Sequence, residues 1–270
     1  MQHSMTLPSE VTQRVCEYLN LLDRERARFV QGVYLVGSVA LGDYQEGRSD
    51  IDFIALVAAP LSGPQLESLM RIHTTMAAAS GPPFDGFYIE QNELSRRPTL
   101  GMRVPFSLHG LFHTEAACSE INPVTWLCLA QHGIAVRGRP PESLALATDP
   151  APLQAFQVSN LRTYWGPWIE DGSKALAHKA PDEMVDAAVL AWGVLGSLRI
   201  ACTVITGRIV SKFEAGCWAL TRYAPDWHSV IRDALAARLG QAGRLPVSQC
   251  RRALDFIRYV VADALAAVEC

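Results

Sequence analysis

Residues 33–57, VYLVGSVALGDYQEGRSDIDFIALV, constrain this chain more than any other segment. A β-rich run, Val33-Tyr34-Leu35-Val36, stops at Gly37-Ser38. Thirteen residues after the glycine, Asp50-Ile51-Asp52 opens a second β-rich run that reaches Val57. Residues two apart on a strand point to one face, so Asp50 and Asp52 present two carboxylates side by side. Like charges held that close are unfavourable unless a cation shares them. An all-oxygen ligand set favours Mg²⁺, which is commonly held by one or two carboxylates together with phosphates. Gly37 allows the backbone to approach a phosphate closely, and a backbone N–H with the Ser38 hydroxyl suits an anion. Either half alone reads as a plain turn or a solvated strand end. Together, in this order, they point to metal-assisted in-line displacement at phosphorus.

The surrounding pattern says what carries this segment. Val11, Val15, Leu19 and Leu22 fall at helical spacing and predict a helix over 9–30. A helix over 61–79 and a strand over 84–89 follow, and Asn122-Pro123 opens a helix to about 132. Alternating strands and helices suit an α/β sheet. The stretch 137–152 holds four prolines and reads as a linker. Beyond it, helices are expected at about 153–171, 182–205, 211–223, 226–239 and 247–268. The expectation is an α/β domain over 1–150 and an all-α bundle over 151–270.

Composition excludes several classes. With 49% hydrophobic and 19% charged residues the chain is not a disordered one. A net charge of -3 gives no basic footprint for nucleic acid. Residues 1–10 lack the pattern of a secretory signal, and no uncharged apolar stretch of about 18 residues is found. Seven cysteines include no CxxC pair. These readings lead us to expect a cytoplasmic monomer without membrane or nucleic-acid partners.

The Gly-Ser and Asp-x-Asp pattern resembles the signature of the DNA polymerase β-type nucleotidyltransferases, which adds a third carboxylate on a later strand. Asp85, inside Phe84-Asp85-Gly86-Phe87-Tyr88-Ile89, is the first choice for it, with Glu90 in reserve. Its role is third metal ligand or general base. Residues 194–220, VLGSLRIACTVITGRIVSKFEAGCWAL, together with Asn122-Pro123-Val124-Thr125-Trp126 and His132-Gly133-Ile134-Ala135, narrow the likeness to the aminoglycoside adenylyltransferases, including those acting on streptomycin and spectinomycin. The resemblance implies a mixed sheet with flanking helices followed by a helical domain that completes the cleft. It implies ATP as co-substrate, Mg²⁺, Gly37, Ser38 and Ser49 as nucleotide contacts, and AMP transfer to an aminoglycoside or aminocyclitol hydroxyl.

Further candidates lie in the second half. Arg199 stands in an apolar helix and needs a partner, either an internal carboxylate or a phosphate. Ser211 and Glu214 match a capping box, which sets Lys212 in an electropositive first turn where a nearby anion would explain it. The resemblance assigns Arg199 and Lys212 to the triphosphate. For a cationic acceptor, Asp182 and Asp186 after Pro181 are candidates, although first-turn acids also simply favour the helix dipole. With Arg199 as anchor, Val185 and Val189 fall where the streptomycin enzymes carry acids, which argues against streptomycin itself. Trp126, Trp165 and Trp168 are pocket or core residues. His109 and His113 are four apart, but Gly110 stands where the zinc motif needs glutamate. The alternatives are transfer to another small molecule or a protein hydroxyl, and a catalytically idle ligand-binding relative.

Overall fold

The computed structural model describes residues 7–269, so the first six residues and Cys270 lie outside it. The chain divides into two units, one ending at Asp149 and one starting at Pro150; each is described by itself.

The first unit is built on a six-stranded mixed sheet. Its strands are β1 (Val30–Leu35), β2 (Ile51–Val57), β3 (Phe84–Glu90), β4 (Phe106–Leu108), β5 (Leu111–His113) and β6 (Ile134–Arg137), in the spatial order β5-β4-β3-β2-β1-β6. β2 and β3 run parallel and the other neighbours antiparallel. The parallel pair needs a crossover, and α3 (Gly63–Ala78) supplies it. On one face, alternate residues Ile51, Phe53, Ala55 and Val57 of β2 join Val11, Val15, Tyr18 and Leu22 of α1 (Ser9–Arg24) and Leu69, Ile72 and Met76 of α3 in one core. The other face carries Asp52, Ile54 and Leu56, and is flanked by α2 (Gly37–Ala40) and α4 (Pro123–His132).

Several boundaries differ from the sequence reading, each for a tertiary reason. The opening helix stops at Arg24, because Arg26 takes a left-handed φ of 53° and Val30 is drawn into β1 opposite Val57. The β4–β5 hairpin and β6 were not expected, since three- or four-residue strands carry too little period-2 signal.

The second unit packs α5 (Pro150–Asn160), a π-helical turn (Leu161–Trp165), α6 (Gly166–Ala177), α8 (Lys212–Arg222), α9 (His228–Arg238) and α10 (Val247–Glu269) around α7 (Ala187–Thr206). It is helical as expected, with one addition. β7 (Met184–Asp186) pairs antiparallel with β8 (Arg244–Pro246), replacing the first turn of the helix read at 182–205. By length and apolarity α7 could cross a membrane, yet here it is the central core helix, packed against α8, α9 and α10.

Candidate active site

The register of β2 and β3 builds the site. Asp52 is the second residue of β2 and Asp85 the second of β3, and the parallel ladder pairs them directly. Their side chains therefore share one face, and Asp50, two residues before Asp52, lies toward the same side. Asp50 is exposed, Asp52 half-buried and Asp85 buried, so the three carboxylates descend from solvent into the fold.

Gly37 stands directly against Asp52, two residues past the end of the first strand. β1 ends at Leu35, and the Val36 N–H donates to the Asp52 carbonyl at 3.0 Å, which fixes the start of α2 against β2. Gly37 has φ of 60°, and a Cβ there would stand 1.8 Å from Asp52 Oδ2. Both the backbone conformation and the contact require glycine; a side chain would strain the turn and push the carboxylate aside. Next to it, the Ser38 hydroxyl is buried with no hydrogen-bond partner, and Asp85 Oδ1 shares that condition. Buried polar atoms in folded proteins are nearly always paired. Two unpaired ones at residues that the sequence singles out match a site shaped for a ligand rather than for the apo fold.

Ser49 closes the loop that delivers Asp50. Its N–H donates to the Gln45 carbonyl at 2.9 Å, and its Oγ accepts from the Gln45 N–H at 3.0 Å. The hydroxyl keeps its own proton free to donate. Asp43, in the same loop, is buried and receives the Gln45 side-chain amide at 3.4 Å.

The second carboxylate oxygen of Asp85 is held by a device that sequence reasoning missed. Leu108 and Leu111 pair across a two-residue turn, and His109 and Gly110 both have positive φ, 51° and 77°. Positive φ at both central positions is the type I′ hairpin turn, whose twist matches the strands. It directs the His109 N–H to Asp85 Oδ2 at 3.0 Å, and the Gly110 N–H adds to it. The signal was present as a His-Gly dipeptide between Phe-Ser-Leu and Leu-Phe-His, but His-Gly is a weak form of the turn. Burial raises the Asp85 carboxyl above the ordinary aspartate range; the His109 N–H pulls it partly back, and the Asp50 charge raises it further. A buried carboxylate of raised proton affinity beside two other acids has the character of a general base.

The remaining candidates are placed as follows. Glu90 ends β3, two ladder positions beyond Tyr88 and remote in register from Asp52. His113 stacks on Phe106 at 4.6 Å. Trp126 is buried and stacks on Phe87 at 6.1 Å, a core position. In the second unit, Ser211 caps α8, its Oγ accepting from the Glu214 N–H at 3.1 Å while Glu214 accepts from the Ser211 N–H at 2.9 Å. Lys212 is thus the first residue of α8. Arg199 is half-buried on α7. Asp186 is the N-cap of α7 and accepts from the Ala188 N–H at 2.8 Å. Asp182 is exposed in the turn before β7. Trp165 is buried and Trp168 half-buried in one aromatic group with Trp192.

The oxygen-only composition fits a hard divalent cation. Among the described residues, no three His, Cys, Asp or Glu side chains stand together as a preformed metal cage.

Comparison with known proteins agrees with this geometry. Residues 15–96 match the nucleotidyltransferase domain family, and residues 175–263 match the family of the aminoglycoside adenylyltransferase C-terminal domain. An aminoglycoside (3'') (9) adenylyltransferase from Shigella flexneri is 26% identical, the match covering 93% of this chain and 94% of the relative. One from Rhizobium radiobacter is 25% identical over 98% and 97%. The crystal structure of the spectinomycin adenyltransferase AAD(9) from Enterococcus faecialis with ATP and spectinomycin shares the fold, with a TM-score of 0.64 at 15% identity over 93% of this chain and 99% of that one. A nucleotidyltransferase domain followed by the C-terminal domain of the adenylyltransferases makes this chain similar, along most of its length, to the aminoglycoside nucleotidyltransferases.

Proposed function

We propose that the protein transfers AMP from ATP to a hydroxyl of an aminoglycoside or aminocyclitol, with Mg²⁺, and releases pyrophosphate. The observation that carries this reading is the ladder pairing of Asp52 with Asp85 beside the Gly37–Ser38 turn. Asp50 and Asp52 would hold Mg²⁺, which supplies charge stabilisation on the phosphate oxygens. Gly37 keeps the backbone close enough for phosphate, and the Ser38 hydroxyl, unpaired in the fold, donates to a phosphate oxygen. Asp85 takes the proton from the attacking hydroxyl. In the displacement a bond forms from the acceptor oxygen to the α-phosphorus, and the bond from that phosphorus to the bridging oxygen breaks. Arg199 and Lys212 are the cations that would neutralise the triphosphate. The capping box that puts Lys212 in the first turn of α8 supports its part. Asp182 is the more available of the two candidate acceptor acids, because Asp186 already accepts a capping hydrogen bond. The reading includes a monomer in the cytoplasm with no nucleic-acid partner, in keeping with the net charge of -3.

The test is pyrophosphate release from ATP and Mg²⁺ with a panel of aminoglycosides and aminocyclitols. Release stimulated by one compound or a few is expected. Release with none of them, but with a protein hydroxyl or another small alcohol, would move the acceptor class. No turnover with any acceptor would leave a binding protein.

A further inference from the structure

The helical unit carries an aromatic surface whose position on α7 gives it a use. Tyr164, Trp165, Trp168 and Trp192 form a continuous group with ring centroids 5.2–6.0 Å apart. Two glycines of α7 seat it: a Cβ at Gly193 would meet the Trp168 ring at 2.4 Å, and one at Gly196 the Trp165 ring at 2.9 Å. Trp165 is thereby buried, while Tyr164 and Trp192 remain 45% and 39% exposed beside Val189 at 60%. A single exposed aromatic residue is ordinary, but two exposed rings resting on a buried and a half-buried one form a built platform. The π-helical turn Leu161–Trp165 that presents Tyr164 and Trp165 is itself a rare element, most often found at functional sites. The Trp165 Nε1 and the Asn160 Oδ1, at either end of that turn, are buried without partners. Unspent hydrogen-bonding capacity of this kind is uncommon in a sealed core.

Position supplies the second half of the argument. Val189, Trp192, Gly196 and Arg199 follow one another at spacings of three and four, so they lie on one stripe of α7. Trp192 stands seven residues, about two turns or roughly 10 Å, from Arg199. If Arg199 meets the triphosphate, as proposed above, the same stripe carries the aromatic platform within one small molecule's length of it. The faces of aromatic rings are electron-rich and attract ammonium groups, Trp most strongly. We propose that Trp192 and Tyr164 form the acceptor platform, binding an ammonium-bearing aminocyclitol ring against their faces. This inference rests on the transferase reading. It assigns acceptor recognition to aromatic faces at a stripe where Val189 offers no charge.

The probe is spectinomycin, titrated calorimetrically into the full chain with and without Mg²⁺ and a non-hydrolysable ATP analogue. The parent should bind it. Trp192→Phe should weaken binding a few-fold and Trp192→Ala about tenfold, equivalent to about 1.4 kcal/mol, with affinity for the ATP analogue unchanged. No binding by the parent, equal affinity in parent and Trp192→Ala, or an equal loss for the ATP analogue would each overturn the platform. Trp192-dependent binding without pyrophosphate release from ATP, with spectinomycin or any other acceptor tested, would leave the platform standing and overturn the transferase reading instead.

Discussion

The two faces of the first unit's sheet both bury polar groups, and they treat them in opposite ways. On the face covered by α1 and α3, the Tyr18 and Tyr88 hydroxyls bond each other at 2.6 Å and His73 Nε2 joins Tyr88 at 2.8 Å. Arg14 on that side donates to the Pro82 carbonyl at 3.1 Å and to the Met76 carbonyl at 2.5 Å. Burial drives the His73 ring down to about 3, with the Arg14 charge acting in the same direction, so it stays neutral. Every one of these groups is partnered, and together they tie two helices to the sheet. On the opposite face, Ser38 Oγ and Asp85 Oδ1 are buried without partners, and burial, with the Asp50 charge adding to it, raises the Asp85 carboxyl. The same sheet thus separates groups that serve the fold from groups that serve a ligand. Where hydrogen bonds are complete, a residue is explained by stability. Where they are missing and acids share one face, the fold carries a cost that the proposed cation and phosphate would relieve.

That contrast can be broken by mutation on either side. The largest effect should come from Asp52→Asn, which removes a carboxylate worth several kcal/mol of charge stabilisation, on the order of 10³-fold in rate. The variant should still fold and melt cooperatively, so that the loss is one of chemistry. Turnover within about tenfold of the parent would end the metal-site reading. Next in size is Gly37→Ala. A left-handed non-glycine residue costs about 1–2 kcal/mol, and its Cβ would displace the Asp52 carboxylate, so the rate should fall at least about tenfold as measured by pyrophosphate release. The smallest effect on rate belongs to the paired face. Tyr88→Phe leaves Tyr18 and His73 short of a partner and should cost about 1–3 kcal/mol of stability, seen as a lower melting temperature. Turnover well below that temperature should match the parent.

Legibility in the sequence followed the same division. The common face of Asp50 and Asp52 is readable because strand periodicity fixes faces without tertiary information, and Asp85 was sought on a later strand because of the resemblance; the ladder then sets Asp52 beside Asp85. The cap at Ser211 and Glu214 is readable because a capping box is local. What sequence could not supply were pairings made over distance. The β7–β8 ladder joins residues 184–186 to residues 244–246, and neither three-residue strand has a pattern of its own. The His109–Gly110 turn is local in form, but its hold on Asp85 spans 24 positions. The aromatic group needed the π-helical turn and the two glycines of α7 to become a surface.

The most direct test of the central claim is Asp85→Asn, with turnover and melting temperature measured on the same preparation across pH. A base contributes about 10²–10⁴-fold, so the rate should fall by that much. Stability should move the other way. The Asp85 carboxyl is held above its unfolded value, so the folded parent binds a proton more readily than the unfolded chain does. The metal-free parent should therefore gain stability as pH falls through that raised value toward the ordinary aspartate range, and lose it again as pH rises. Asp85→Asn should remove this dependence and melt higher than the parent at neutral pH. A variant that keeps parental turnover, or one that loses stability at neutral pH, would contradict the account, since Asp85 would then be serving the fold like the groups on the opposite face.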